Sequence, residues 1–117
     1  MRIFDVDQIP PEEHSAITTT LLPGEIVEEA FRSAETTILF TDRRIVTIQL
    51  QVLLNERIET ISYSYGSLRH FSLLEGADGQ SRTELRIWLG PEQPLHFRAN
   101  EGTGFVQLQQ LLTAKLR

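Results

Sequence analysis

The chain has no cysteine among its 117 residues. Disulfide bonds, thiolate nucleophiles and metal sites that need sulfur are therefore excluded. No apolar run approaches the roughly 18 residues that a membrane-spanning helix requires, and the N-terminus lacks the apolar core and the cleavage site of a secretory signal. We therefore expect a cytoplasmic protein.

Positive charge is also scarce, since 11 Lys and Arg residues oppose 16 Asp and Glu residues and the net charge is −5. Nucleic acids and anionic membranes both attract positively charged surfaces, so we expect neither nucleic-acid binding nor strong membrane binding. A length of 117 residues is too short for two ordinary domains and long enough for one apolar core.

Sequence motifs for catalysis and for metal binding are missing. The three histidines, His14, His70 and His96, lie on separate predicted elements with no metal-binding spacing, which indicates surface or hydrogen-bonded positions. Asp5 and Asp7 lack neighbours that complete a coordination shell, so a mobile acidic segment is the better interpretation. The chain has no nucleophile elbow and no glycine-rich phosphate loop. We expect no enzyme activity, no metal and no cofactor.

The segment Thr36–Leu50, TTILFTDRRIVTIQL, predicts a β-hairpin around which the other strands are arranged. Its two halves, 36–40 and 45–50, are rich in β-branched and aromatic residues, and the polar residues between them favour a tight turn. An alternation of apolar and polar residues, or a β-rich composition, predicts five further strands, at 26–32, 56–65, 68–74, 83–89 and 95–98. In the strand 56–65 the apolar phase changes near Thr60 and Ile61, which predicts a β-bulge.

Helices are predicted at both ends of the chain. Prolines and carboxylates at 10–13 predict the start of a short N-terminal helix, which ends before Pro23 and Gly24. We assign residues 1–20 to an N-terminal arm with this helix and residues 21–117 to the main domain. Asn100 is the predicted cap of a C-terminal amphipathic helix. Its apolar stripe consists of Phe105, Leu108, Leu112 and Leu116.

Five segments in the right order and spacing resemble the bacterial pleckstrin-homology (PH) domain family. They are LPGE at 22–25, LFTDRRIV, YGSLRHFSL, TELRIWLG and the C-terminal helix at 105–116. The resemblance covers about residues 21–117 and implies a mainly β fold, in which a seven-stranded bent barrel or sandwich is capped by the C-terminal helix. It also implies ring-shaped homo-oligomers, typically pentamers. The biological role of the family is undefined, and fold alone does not supply one.

One loop departs from the pattern of that family. Where the family has a turn with Gly and Lys, residues 51–55 read QVLLN, which is more apolar than a free turn should be. Either the strands extend through this loop, or the loop packs against another subunit. Trp88 lies opposite the inward-facing apolar residues of its strand, so either the N-terminal segment or another subunit covers it. The predicted oligomer interface therefore consists of Trp88, Arg86, Val52, Leu53 and Leu54.

A ligand-binding module for a peptide or an anionic headgroup is the alternative function. Eukaryotic PH domains usually hold headgroups with Lys and Arg residues from the first two strands and their loop. The candidates here are Arg32 in the corresponding region and the adjacent basic pair Arg43 and Arg44 in the hairpin turn. Recognition of phosphates needs several converging cations, and the region 31–37 offers one Arg beside one Glu. We therefore favour a self-assembling scaffold whose main partner is itself, with another protein as an alternative partner.

Overall fold

The structure is a computed structural model that describes residues 3–14, 21–51, 57–76, 82–91 and 93–116. These residues form eight strands and a C-terminal helix, so the predicted mainly β class is confirmed. The chain divides into two compact units, which are described separately. The central unit is Gln8–Ser64, and the terminal unit combines Met1–Asp7 with Tyr65–Arg117.

The central unit is an antiparallel sheet whose strands lie in the order β5-β4-β3-β2. The bounds are Val27–Ser33 for β2, Thr36–Thr41 for β3, Arg44–Gln51 for β4 and Arg57–Ser64 for β5. The predicted hairpin is confirmed, because β3 and β4 pair in continuous register from Phe40 with Ile45 to Thr36 with Gln49.

The hairpin turn is stabilised by the Thr41 side chain. Its hydroxyl oxygen accepts hydrogen bonds from the backbone N–H groups of Arg43 and Arg44, at 3.1 and 3.0 Å. The Asp42 carboxylate accepts a bond from the backbone N–H of Ile26 at 2.9 Å, which joins the turn to the start of β2. A short polar side chain therefore satisfies backbone donors that would otherwise be left unpaired at the turn.

The predicted bulge in β5 is wrong. Residues Arg57 to Ser64 pair one for one with β4, and the register is irregular instead in β2, between Val27 and Glu29. Because β5 keeps a strict alternation, Ile58 and Ile61 lie on opposite faces of the sheet.

Both faces of the central sheet bury apolar side chains. On one face Ile9 packs with Ala30, Leu39 and Val46, and Ile48 packs against the edge of this cluster. The backbone N–H of Ile9 donates to the carbonyl of Ala30 at 2.8 Å, which joins the N-terminal segment to β2. The other face buries Phe31, Ile38, Phe40 and Ile45.

The terminal unit is a mixed sheet in the order β1-β8-β7-β6. Its strands are β1 (Ile3–Gln8), β6 (His70–Leu74), β7 (Glu84–Trp88) and β8 (Leu95–Ala99), with a 3₁₀ turn at Tyr65–Ser67. Strand β1 extends by one residue into the central unit.

Strand β1 was not predicted, and it raises the described strand count above the expected seven. The interpretation of Asp5 and Asp7 as part of a mobile segment is wrong, because both lie in a strand that pairs in parallel with β8. Val6 is fully buried, and the Asp5 carboxylate accepts a 2.6 Å hydrogen bond from Nε of Arg98. These long-range contacts outweigh the weak strand propensity of the acidic sequence.

Helix α1 spans Val106–Lys115 and is the predicted C-terminal helix. Its residues Leu108 and Leu112 are fully buried and Phe105 nearly so, as the apolar stripe predicts. The predicted cap is wrong, since Phe105 occupies the N-cap position. Asn100 instead donates its backbone N–H to the carbonyl of Val6 at 2.9 Å.

The predicted short N-terminal helix is a single 3₁₀ turn over residues 11–14. The backbone N–H of Glu13 bonds to the carbonyl of Pro10 at 2.9 Å, which is the shorter spacing of that turn. His14 lies 3.0 Å from the carbonyl of Ile9, the residue before the prolines. The rest of the predicted helix, at 15–20, lies outside the described residues.

Candidate functional site

An exposed apolar pair of the central unit lies on strands β4 and β5. Leu50 and Ile58 are direct partners across the two strands, and they remain 37% and 66% exposed. Leu50 follows Ile48 on the same face of β4, so the pair extends the apolar cluster that contains Ile9. This Leu50–Ile58 pair is the end of a buried apolar face that the central unit leaves open to solvent.

The position of this pair connects it with the predicted interface. Val52, Leu53 and Leu54, which follow β4 directly in sequence, lie outside the described residues. Strand β5 is the last strand of the described sheet, and it carries the charged residues Arg57 and Glu59. Charged side chains on an edge strand disfavour edge-to-edge pairing, so a partner would contact the apolar face and not extend the sheet.

A buried ion pair lies at the other end of the central unit. The carboxylate of Glu25, whose side chain is 0% exposed, accepts hydrogen bonds from Nε and Nη2 of Arg44, both at 2.9 Å. It also accepts bonds from the Thr41 hydroxyl at 2.6 Å and the Leu22 backbone N–H at 3.0 Å. The bonds from Arg44, opposed in part by burial, lower the pKa of Glu25 from 4.5 to about 2. This arrangement is structural, because the carboxylate of Glu25 neutralises the charge of Arg44.

The three arginines of the alternative ligand site are not brought together. Arg44 is paired with Glu25, Arg43 extends from the hairpin turn beside Asp42, and Arg32 pairs with Thr37 at the opposite end of β3. The strand between Thr37 and the turn covers roughly 13 Å, at about 3.3 Å per residue. One phosphate group is too small to bridge that distance.

The terminal unit presents a second surface, on the face of its sheet opposite the buried Leu85 and Ile87. We call it the outer face. There Trp88 of β7 stacks on His70 of β6, with ring centroids 4.4 Å apart and an interplanar angle of 22°. The sequence left open whether the N-terminal segment or another subunit covers Trp88. The described contact is with His70, and it leaves Trp88 only half-buried.

Arg86 lies next to this stacked pair, directly opposite His96 of strand β8. His96 is only 4% exposed, and its Nε2 lies 2.5 Å from Oε1 of Glu84. Two buried atoms of this group, Nε of Arg86 and Nδ1 of His96, have no hydrogen-bond partner among the described residues.

A third group on the outer face is an ion-pair network around Asp5. Arg98 contacts both carboxylate oxygens of Asp5, at 2.6 and 3.1 Å, and Nη1 of Arg82 lies 3.3 Å from one of them. These bonds lower the pKa of Asp5 below its usual value and raise the pKa of Arg98. The network ties β1 to β8.

A family model described as bacterial PH domain matches residues 3–116. The chain belongs to the bacterial PH domain family.

Relatives of this bacterial PH domain agree with that assignment. An uncharacterised protein of Bacillus subtilis (strain 168), YjqA, is 33% identical over 98 residues, which is 80% of this chain and 77% of that protein. The fold resembles a DUF1696 family protein with a PH domain from Shewanella loihica PV-4, with a TM-score of 0.76, 19% identity and coverage of 95% and 97% of the two chains. A PH domain from Shewanella amazonensis SB2B gives a TM-score of 0.67, 21% identity and coverage of 93% and 90%. The predicted PH-like fold with a C-terminal helix is therefore confirmed.

Neither a metal-binding cluster nor a membrane-spanning helix occurs among the described residues of this bacterial PH domain. Within the described ranges, no group of three His, Asp or Glu side chains is placed to hold a metal ion. No helix among the described residues is long and apolar enough to cross a membrane.

His96 is the functional candidate that sequence reasoning missed in this bacterial PH domain. In the sequence His96 is one of three isolated histidines. The alternation of β8 puts Leu95 and Phe97 on the inward face, so His96 lies on the opposite face. The signal was available in that alternation. Its pairing with Glu84 and its position opposite Arg86 depend on the register between β7 and β8, which sequence patterns do not provide.

Proposed function

We propose that this bacterial PH domain is a non-catalytic interaction module that assembles with copies of itself into a closed ring. The observation that carries the proposal is the Leu50–Ile58 pair, which extends a buried apolar face into solvent. Burial of such side chains against a partner is favourable by about 25 cal/mol per Å² of apolar surface.

A closed ring requires two different contact surfaces on each copy. Head-to-tail contacts join two different surfaces of each copy, whereas a two-fold dimer uses one surface twice. The outer face of the terminal unit offers a different surface, since Trp88 and Arg86 are residue types enriched at the energetic centres of interfaces. In this proposal the loop residues Val52, Leu53 and Leu54 add contact area beside Leu50. A second copy is the chosen partner because the family resemblance implies self-assembly.

The test is the molar mass in solution, measured by light scattering after size-exclusion chromatography across micromolar concentrations. We expect a single species at an integer multiple of the 13.4 kDa chain mass. A pentamer is the expectation from the family resemblance. A monomer at all concentrations would contradict the proposal.

A substitution locates the contact. Ile58→Lys places a charge on the proposed contact and should move the mass towards the monomer, because losing a buried isoleucine weakens association by roughly 10- to 100-fold. Val106→Lys is the matched control, since Val106 is 65% exposed and Ile58 is 66% exposed, and it should leave the mass unchanged. If Ile58→Lys retains the full mass, the Leu50–Ile58 pair is not the contact.

A further inference from the structure

The outer face of the terminal unit places two unsatisfied nitrogen atoms in neighbouring positions. Arg86 and His96 are directly opposite residues on adjacent antiparallel strands, so their Cβ atoms are about 5 Å apart and project to the same side. His96 is 4% exposed and Nδ1 is buried without a partner among the described residues. Buried polar atoms are rarely left unpaired, because an unmade hydrogen bond costs free energy.

Arg86 differs from the other arginines of the outer face. Arg98 and Arg82 both contact the Asp5 carboxylate. Within the described part of the chain, Arg86 has no such carboxylate, and its buried Nε has no hydrogen-bond acceptor. Burial penalises an isolated charge, so a half-buried guanidinium group without an anion is unfavourable and is stabilised when an anion binds.

The charges around these atoms favour a ligand with a single negative charge. Glu84 lies against His96, and Asp5 lies between Arg98 and Arg82. The remaining charge nearest to His96 is the single positive charge of Arg86. A planar carboxylate matches one guanidinium group in both charge and geometry, whereas a doubly charged phosphate usually needs several cations.

We propose that Arg86 and His96 form a binding site for a carboxylate group. One carboxylate oxygen accepts the hydrogen bond of Arg86 Nε–H, and an oxygen of the same group accepts a hydrogen bond from His96 Nδ1–H. The neighbouring aromatic ring of Trp88 provides apolar surface for the part of the ligand that carries the carboxylate.

Donation from His96 Nδ1 depends on which ring nitrogens carry a proton. With Nε2–H directed at Glu84, donation from Nδ1 requires the doubly protonated imidazolium ring. The charged and titratable groups that face His96 are Glu84 and Arg86 on β7, Arg98 on its own strand, Asp5 on β1 and His70 on β6. The ligand adds a second carboxylate beside the ring.

The primary test is a titration of the ¹⁵N-labelled protein with sodium acetate, observed at the Nε–H resonance of Arg86. We expect a saturable shift with acetate and none with sodium chloride at matched ionic strength. Inorganic phosphate should bind more weakly than acetate. A linear shift equal to that of chloride overturns the proposal.

Variants identify the residue that binds. Arg86→Gln should weaken acetate binding by about tenfold or more, followed at the ring resonances of His96, because a charged hydrogen bond is lost. Arg69→Gln removes an exposed arginine of the same unit and should leave the affinity within about twofold. Equal affinities of Arg86→Gln and the unaltered protein overturn the proposal. If Arg86→Gln does not fold, the resonance of Arg86 in the unaltered protein still decides the question.

Two sources supply such a carboxylate, an acidic side chain of a second copy and a free small carboxylate. The first source rests on the proposed self-assembly. Light scattering in saturating acetate separates them, because acetate that displaces a second copy lowers the molar mass, and a free-carboxylate site leaves it unchanged. A protein that is monomeric in both buffers refutes the self-assembly, while the carboxylate site is judged by the acetate titration alone.

Discussion

The buried Glu25–Arg44 pair allows a pH-dependent prediction with a calculable size. The Glu25 side chain is fully buried, and Arg44, Thr41 and the backbone of Leu22 all donate hydrogen bonds to its carboxylate. The substitution Glu25→Gln keeps the size and shape of the side chain and removes its charge. It leaves the Arg44 guanidinium without a carboxylate, and we expect a less stable protein at neutral pH.

The magnitude follows from the lowered pKa of Glu25. One pKa unit corresponds to about 1.4 kcal/mol, so a fall from 4.5 to about 2 contributes on the order of 3 kcal/mol to the free energy of unfolding. This figure is an upper value, because the Arg44 side chain remains 21% exposed and solvent screens part of the attraction. The folded pKa is depressed, so the contribution is complete above about pH 4.5 and is lost as the pH falls towards 2. At pH 3 roughly 1.4 kcal/mol remains.

The assay is urea unfolding followed by far-UV circular dichroism at pH 7, 5 and 3, at one protein concentration. The difference between the unaltered protein and Glu25→Gln should be largest at pH 7 and less than half as large at pH 3. Glu35→Gln, which removes an exposed carboxylate of the same unit, should change stability by less than about 0.5 kcal/mol. A difference that stays constant between pH 7 and pH 3 would refute the reasoning.

Three further substitutions test other parts of the fold. Leu112→Ala removes a fully buried side chain of helix α1 and should lower the free energy of unfolding in urea by about 2–5 kcal/mol. A decrease below about 1 kcal/mol would contradict the packing. Ala34→Gly should raise the free energy of unfolding by about 1 kcal/mol, because Ala34 has a φ of 50° in the turn between β2 and β3; a loss of stability would argue against that backbone geometry. Arg98→Gln should speed amide hydrogen exchange in β1, since it breaks both bonds to Asp5; unchanged exchange would show that backbone pairing alone holds the strand.

Local chemistry was sufficient to predict the hairpin, most strands and the terminal helix. The polar residues between β3 and β4 favour a turn whatever surrounds them, and the apolar stripe of α1 repeats at helical spacing. The predicted bulge was wrong because a local sequence pattern does not show where a strand lies in its sheet. Near Thr60 the sequence pattern indicated a bulge that would bring all apolar residues of the strand to one face. Strand β5 is the last described strand of its sheet, and it leaves Ile58 exposed. Its apolar residues therefore lie on both faces without a bulge.

The interface residues show where sequence reasoning was useful and where it ended. Alternation along β7 correctly placed Trp88 and Arg86 away from the buried face, and the apolar character of 52–54 pointed to the end of β4. Neither pattern identified Ile58 as the exposed partner of Leu50, because that pairing depends on the register between two strands. The oligomer interface itself stays a prediction.

The sequence by itself determined the β-rich composition, the hairpin corner and the amphipathic helix, since each depends on interactions within a few residues. Only the tertiary structure decided that the acidic N-terminus becomes strand β1, that Glu25 meets Arg44 across 19 positions, and that His96 is buried opposite Arg86. These contacts join residues far apart in the chain. Their free energy comes from burial and pairing once the strands are aligned, and no local propensity encodes that alignment.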